Sequence, residues 1–189
     1  YNLGKEGRQT TLRMELEIVK EYIALQQMRY DFIIEMNIED GSYLDQPTVR
    51  MLFQPLVENA IRYGLGDDEK ISIQVFEDVA RHLAVVTISD SGKGLNQEEI
   101  DEINQPFDYD WGYWKNENRG IGLRYVKAML ESFYDGQTSL FVNSKKGFGT
   151  RITILLPVRE PEEKKEKDKD KEVTLEENKV GQTDERIDC

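Results

Sequence analysis

Four short segments carry residue types and spacings that could hold a phosphorylated ligand. The first is Pro55-Leu56-Val57-Glu58-Asn59-Ala60-Ile61-Arg62-Tyr63-Gly64. On a helix, Leu56, Val57, Ala60 and Ile61 share the core side, leaving Glu58, Asn59, Arg62 and Tyr63 nearer the opposite one. Glu58 and Arg62 are helical neighbours, and alone they also describe an exposed ion pair beside an incidental asparagine. The second is Asp90-Ser91-Gly92-Lys93-Gly94, just past an apolar strand. A carboxylate there can accept an amine proton, and glycines let the backbone approach a ligand or turn sharply. A plain turn uses the same residues. The third, Gly120-Ile121-Gly122-Leu123, stands at the mouth of a helix, where free N–H groups and the helix dipole favour phosphate. A loop end uses Gly-x-Gly as well. The fourth, Gly147-Phe148-Gly149-Thr150, leads into the last strand and alone reads as an ordinary hairpin.

The intervening sequence must position these segments. Leu12, Leu16, Val19 and Ile23 recur at helical spacing, predicting an amphipathic helix over 11–29. Phe32, Ile34, Met36 and Ile38 then alternate with Ile33, Glu35, Asn37 and Glu39, as in a strand, before an Asp40-Gly41-Ser42 turn. From Val49 the set Leu52, Phe53, Leu56, Val57, Ala60 and Ile61 predicts a helix, with Pro47 in its first turn and Gly64 at its end. Pro55 should kink that helix or split off a short first piece. Ile71, Ile73 and Val75 alternate, and Leu83 and Val85 do so up to a register break before Ile88; together they predict a hairpin. Asn96 with Glu99 resembles a capping box opening a short helix. Residues 104–119 show no period and are expected to form a long loop, a possible lid. A helix from near Gly122 through Phe133 and strands around Leu140–Val142 and Ile152–Leu156 complete the pattern. Helices and strands interleave without strict alternation, and hairpins are present. The expected class is α+β, a mixed sheet with helices on one face.

Composition narrows the choice. A chain of 189 residues fits one domain with extra segments. Its net charge of -12 opposes a nucleic-acid partner. The sole cysteine is Cys189, so no intrachain disulfide can form, and no apolar run approaches bilayer length. From Glu160 to Lys171 every residue except Pro161 is charged, six acidic and five basic. Such a run cannot bury a core, so 159–189 is expected to be a disordered charged tail. Residues 1–10 are expected to be a linker and 11–158 the folded domain. The chain begins with Tyr1-Asn2, and we read it as a piece of a longer protein.

In order and spacing, the four segments resemble the N box, G1 box, G2 box and closing Gly-Thr of the GHKL ATPases, which unite histidine kinases with gyrase, Hsp90 and MutL. The resemblance covers roughly residues 12 to 157. Glu15-Leu16-Glu17-Ile18-Val19, Gln26-Gln27-Met28-Arg29-Tyr30 and Gln54-Pro55-Leu56-Val57-Glu58-Asn59-Ala60 are further similar to the LytS/YesM-type sensor kinases. The resemblance implies a two-layer, Bergerat-type ATP-binding fold, with ATP and Mg²⁺ as ligands. By the same resemblance, Asn59 would ligate Mg²⁺ and Glu58 would be the base or polarising carboxylate. Arg62 would meet a phosphate, and Tyr63 would line or stack on the nucleotide. Asp90 would accept from the adenine amino group, Gly92 and Gly94 would admit base and ribose, and Thr150 would hold adenine through a water. Gly120, Gly122 and Leu123 would cradle the phosphates beneath the lid, with Phe107 as its anchor. Two positions depart from the common pattern: Pro55 stands where many sensor kinases have Asn, and Tyr63 where the LytS/YesM-type group often has His.

What is implied is the catalytic domain of a sensor histidine kinase in two-component signalling. It would pass the γ-phosphoryl group of ATP to a histidine on upstream dimerisation helices, with a response regulator as downstream partner. The domain would be cytoplasmic, in a membrane-anchored full-length protein. The only histidine, His82, lies at the start of an expected strand and is expected to face solvent or pack at an edge, so the acceptor would lie upstream. Other readings are a gyrase-like hydrolase, an anti-sigma-type serine kinase and a non-catalytic nucleotide sensor. The charged run after Pro157 weighs against the first, and the amphipathic helix over 11–29 against the second. The intact set of nucleotide-binding positions weighs against the third. Trp111, Tyr113 and Trp114 could form a partner patch or pack within their own lid.

Overall fold

The computed structural model describes residues 9–65, 70–104 and 121–159. Strand β1 (Gln9–Thr11) runs into helix α1 (Leu12–Gln27), whose N-cap Thr11 accepts a hydrogen bond from the Met14 N–H at 3.2 Å. Leu12, Leu16, Val19 and Ile23 are buried, as their spacing requires. Strand β2 (Ile33–Ile38) follows, and its alternate residues turn to the core.

The next stretch departs from expectation. Pro47 does not open a helix; Pro47–Val49 form β3, paired antiparallel with β1. Helix α2 spans Gln54–Tyr63, so Pro55 neither kinks nor splits it. Pro55 sits in the first turn, where an N–H has no intrahelical acceptor and its absence costs nothing. Leu52 and Phe53 belong to the corner before the helix, although both are fully buried. Apolar spacing alone cannot tell a buried corner from a helical turn.

Strands β4 (Lys70–Asp78) and β5 (Leu83–Asp90) form the expected hairpin, but without a register break. Ala84, Val86 and Ile88 form one unbroken buried row, and Leu83 and Val85 lie on the reverse face. Alanine, too small to stand out as apolar, hid the true register. Helix α3 (Gln97–Asn104) begins with a capping box: Glu99 N–H donates to Asn96 Oδ1 at 2.9 Å, and Asn96 N–H donates to Glu99 Oε2 at 2.8 Å. Helix α4 (Ile121–Phe133) and the antiparallel strands β6 (Ser139–Ser144) and β7 (Thr150–Pro157) complete the fold. The expected lid, with Phe107, Trp111, Tyr113 and Trp114, and the charged stretch from residue 160 lie outside the described residues.

The main sheet has the order β2-β4-β5-β7-β6; β2 and β4 are parallel and the other pairs antiparallel. The parallel pair needs a crossover, and the segment containing α2 supplies it. One sheet face carries Ile71, Ile73, Val75, Ala84, Val86, Ile88, Ile152, Ile154 and Leu156, all buried with Leu56, Val57, Leu123, Val126 and Leu130 of the helices. The other face exposes Gln74, Phe76, Phe141 and Arg151. This is the two-layer α+β arrangement. Among the described residues no helix is long and apolar enough to cross a membrane.

Candidate functional site

An open cleft lies between the helical layer and the end of the sheet. Its walls take residues from all four segments: Asn59 and Tyr63 from α2 and Gly64 at its end, Asp90 at the end of β5 and Gly94 beyond it, Gly122 and Leu123 from α4, and Thr150 from β7. Leu56, Ile88, Leu95, Ile103 and Ile152 add an apolar wall. An apolar slot with few polar groups suits a flat, partly polar ring.

Asp90 is a half-buried carboxylate in that slot. Its Oδ1 accepts from Gly92 N–H at 3.0 Å and Thr150 N–H at 3.1 Å, which fixes the carboxylate plane. No described hydrogen bond engages Oδ2, so that oxygen is available to a ligand donor. Burial pushes the Asp90 carboxyl above its ordinary value, and the Gly92 and Thr150 N–H groups pull it partly back. Thr150 Oγ1 lies 3.0 Å from Ser144 Oγ, so hydroxyls of β6 and β7 meet beside the carboxylate.

Glycines let these walls close on one another. A Cβ on Gly92 would sit 2.4 Å from Gly64 Cα, and one on Gly64 would sit 2.5 Å from the Asp90 side chain, so the end of α2 packs on the end of β5 and the loop after it only because both residues are glycine. Gly92 itself does not line the cleft; it acts by this contact, whereas Gly94 is on the wall. Gly149 was not singled out for a role by its sequence context, yet it has φ +88° and a Cβ there would meet the Asp90 carbonyl oxygen at 2.0 Å. Strain and overlap should together cost about 2–6 kcal/mol in Gly149→Ala. A chemical-denaturation midpoint equal to the parent's would refute this.

Gly122 places α4 against α2, since a Cβ there would come within 3.3 Å of Asn59 Nδ2. Asn59 is half-exposed in the cleft, with no described hydrogen bond to the protein. Gly120 lies outside the described residues. Glu58 and Arg62 are not on the cleft wall; they pair at 2.9 Å on the exposed side of α2, the predicted neighbour contact. Burial first, then the Glu58 charge, raises the Tyr22 phenol pKa, placing Glu58 on the side of α2 nearest α1. His82 is exposed in the turn before β5, as expected, at φ +53°.

The sequence reading missed two charged wall residues. Lys93 lines the cleft with its ammonium 5.1 Å from the Tyr63 ring centre, and Glu99 reaches the same wall from the start of α3. Lys93 could have been noticed as the one cation inside the Asp90–Gly94 segment. Glu99 was legible only as a cap.

Comparisons with known proteins agree with this geometry. Residues 44–160 match the family described as histidine kinase-, DNA gyrase B-, and HSP90-like ATPase. The chain is 29% identical over 159 residues to the sensor protein kinase HptS of Staphylococcus aureus (strain bovine RF122 / ET3-1), and equally to that of strain USA300. Each alignment covers 84% of this chain but only 30% of the relative. Among solved structures, the fold is similar to the Acinetobacter baumannii histidine kinase AdeS, with a TM-score of 0.57 and 17% identity, covering 80% of this chain and 67% of that one. It is also similar to the histidine kinase domain of the Erythrobacter litoralis EL346 blue-light activated histidine kinase, with a TM-score of 0.53 and 17% identity, covering 78% and 61%. With the family match spanning well over half of the sequence and a cleft built from the same segments, the chain belongs to the histidine kinase-, DNA gyrase B- and HSP90-like ATPases.

Proposed function

We propose that this domain binds ATP with Mg²⁺ in the cleft and, within its full-length protein, transfers the γ-phosphoryl group to a histidine on an upstream helix. The observation that carries the reading is the convergence of Asn59, Tyr63, Asp90, Gly94, Gly122, Leu123 and Thr150 on one cavity. The adenine amino group donates to Asp90 Oδ2, and the ring lies between Leu56, Ile88 and Ile152. Tyr63 and Lys93 flank the ribose-phosphate portion, and Gly122 brings the N-terminal turn of α4 to the phosphates.

Asn59 fits a shared metal site, because its amide makes no hydrogen bond among the described residues and is a hard oxygen ligand. Among the described residues no three His, Cys, Asp or Glu side chains cluster to form a metal site, so a cation here would complete its shell with phosphate oxygens and water. Bound Mg²⁺ would neutralise charge that develops on the phosphates. In the transfer, the bond from the γ-phosphorus to its bridging oxygen breaks and a phosphorus–nitrogen bond to the acceptor imidazole forms. Glu58, half-exposed outside the cleft, takes or holds the proton on the other imidazole nitrogen. Arg62, now paired with Glu58, turns to the phosphate when nucleotide is bound.

The partners that follow are the upstream dimerisation and phosphoacceptor helices and a response regulator, with the domain on the cytoplasmic side of a membrane-anchored protein. The LytS/YesM-like pattern of the N box supports assigning it to that group of sensor kinases. A non-hydrolysable ATP analogue with Mg²⁺ should raise the melting temperature, with about 2.7 kcal/mol of stabilisation at a hundred times Kd. The GTP analogue should leave the melt unchanged; equal shifts with both would overturn adenine selection by Asp90.

A further inference from the structure

Glu15 is the only charged side chain that is buried among the described residues, at 1% exposure. It lies on the core side of α1 among Leu12, Leu16 and Val19, where a lone carboxylate is costly unless its oxygens are satisfied. Its one hydrogen-bond partner among the described residues is a backbone amide: Leu52 N–H donates to Glu15 Oε2 at 2.9 Å, while Oε1 is buried with none. Burial raises the Glu15 carboxyl above its ordinary value, and the nearby N–H groups of Leu52, Met51 and Phe53 pull it partly back. These amides form the corner that leads into α2. Phe53, the N-cap of α2, contributes no side-chain capping bond. A carboxylate from another helix therefore faces the amides and the positive dipole end at the start of α2. Met51 in this corner has φ +58°, a left-handed conformation rare for a side-chain-bearing residue and kept only where surroundings enforce it.

We propose that Glu15 is a positioning residue: by holding the Leu52 amide, two residues before α2, it sets the axial position and rotation of α2, and so holds Asn59 over the phosphate end of the cleft. This rests on the nucleotide site proposed above and extends it to α1. The start of α2 is only about one and a half turns from Asn59. A small rotation there shifts the amide against Gly122, its near neighbour on α4. The adenine end depends less on such a shift, because its polar contacts, Asp90 and Thr150, belong to β5 and β7 and α2 gives its apolar wall only Leu56. Glu15 thus bears more on the metal-phosphate half of the ligand than on the base.

The test is Glu15→Gln in the full chain, which keeps volume and one acceptor oxygen but removes the charge. The Kd of a Mg²⁺-bound ATP analogue should rise about tenfold or more, the cost typical of losing a residue that orients a metal ligand. The Kd for adenosine should stay within about twofold of the parent's. Unchanged affinity for both ligands overturns the proposal, and so does an equal loss for both, which marks general loosening. Asn59→Ala separates this result from the site assignment. If it too leaves Mg²⁺-nucleotide affinity intact, the nucleotide site itself is wrong; if it weakens binding while Glu15→Gln does not, only the coupling fails. Should Glu15→Gln not fold, the unaltered protein still decides. Coupling is reciprocal, so the Mg²⁺-bound analogue must slow hydrogen exchange at the Leu52 amide more than adenosine does; equal protection overturns the proposal.

Discussion

Asp90→Asn should abolish adenine recognition while leaving the fold standing. The asparagine oxygen can still accept from the Gly92 and Thr150 N–H groups, now held by Oδ1. The other position changes from an acceptor to an NH₂ donor facing the donor of adenine. Losing a charge-assisted bond and setting two donors against each other costs about 3–4 kcal/mol, or roughly a hundredfold to a thousandfold in ATP-analogue affinity. Guanine presents an acceptor at that edge, so the preference for ATP over GTP should collapse with the affinity. Calorimetric titration of both nucleotides checks this; a parent-like Kd would remove Asp90 from the base pocket. Because burial raises the carboxyl above its unfolded-state value, the stability it contributes is present at acid pH and is lost as pH rises through the folded-state value. The neutral amide escapes that loss. The empty variant should therefore melt no lower than the parent near pH 7, and its advantage should vanish below about pH 4.

The second large effect is expected at Asn59. Asn59→Ala should leave nucleotide affinity without Mg²⁺ nearly unchanged and remove most of the gain that Mg²⁺ confers. One neutral ligand contact to a charged partner is worth about 1.5–3 kcal/mol, so Mg²⁺-dependent affinity should fall about tenfold to a hundredfold. The fold has no stake in the Asn59 amide, which makes no described bond to the protein, and alanine suits a helix interior. Paired titrations with Mg²⁺ and with a chelator test the assignment. An identical Mg²⁺ increment in both proteins would take the cation away from α2.

Much of the architecture was legible because a period of 3.6 or 2 in apolar residues reports which face must leave water. The spacing of Leu12, Leu16, Val19 and Ile23 locates α1, and Ile71, Ile73 and Val75 locate the inner face of β4. The capping box at Asn96 and Glu99 was readable because both partners lie within three residues. The misreadings have one origin. Leu52 and Phe53 fit the helical stripe of α2 but fill a corner, and Ala84 rather than Leu83 faces the core. Apolarity reports burial, not the backbone conformation that achieves it.

The amino-acid order by itself determined the elements, the class of fold and the identity of four segments capable of binding a nucleotide, because each is encoded in residue types a few positions apart. Tertiary structure alone decided how those segments serve. It turned Asp90 so that one oxygen is held by the backbone, and among the described residues it left the other oxygen and the Asn59 amide without a hydrogen bond. It brought Lys93 and Glu99 to the cleft wall and set Glu58 and Arg62 outside it. It also buried Glu15 against an amide 37 positions away. Such contacts depend on which layers meet and at what height, and packing fixes that across separations over which local sequence carries no signal.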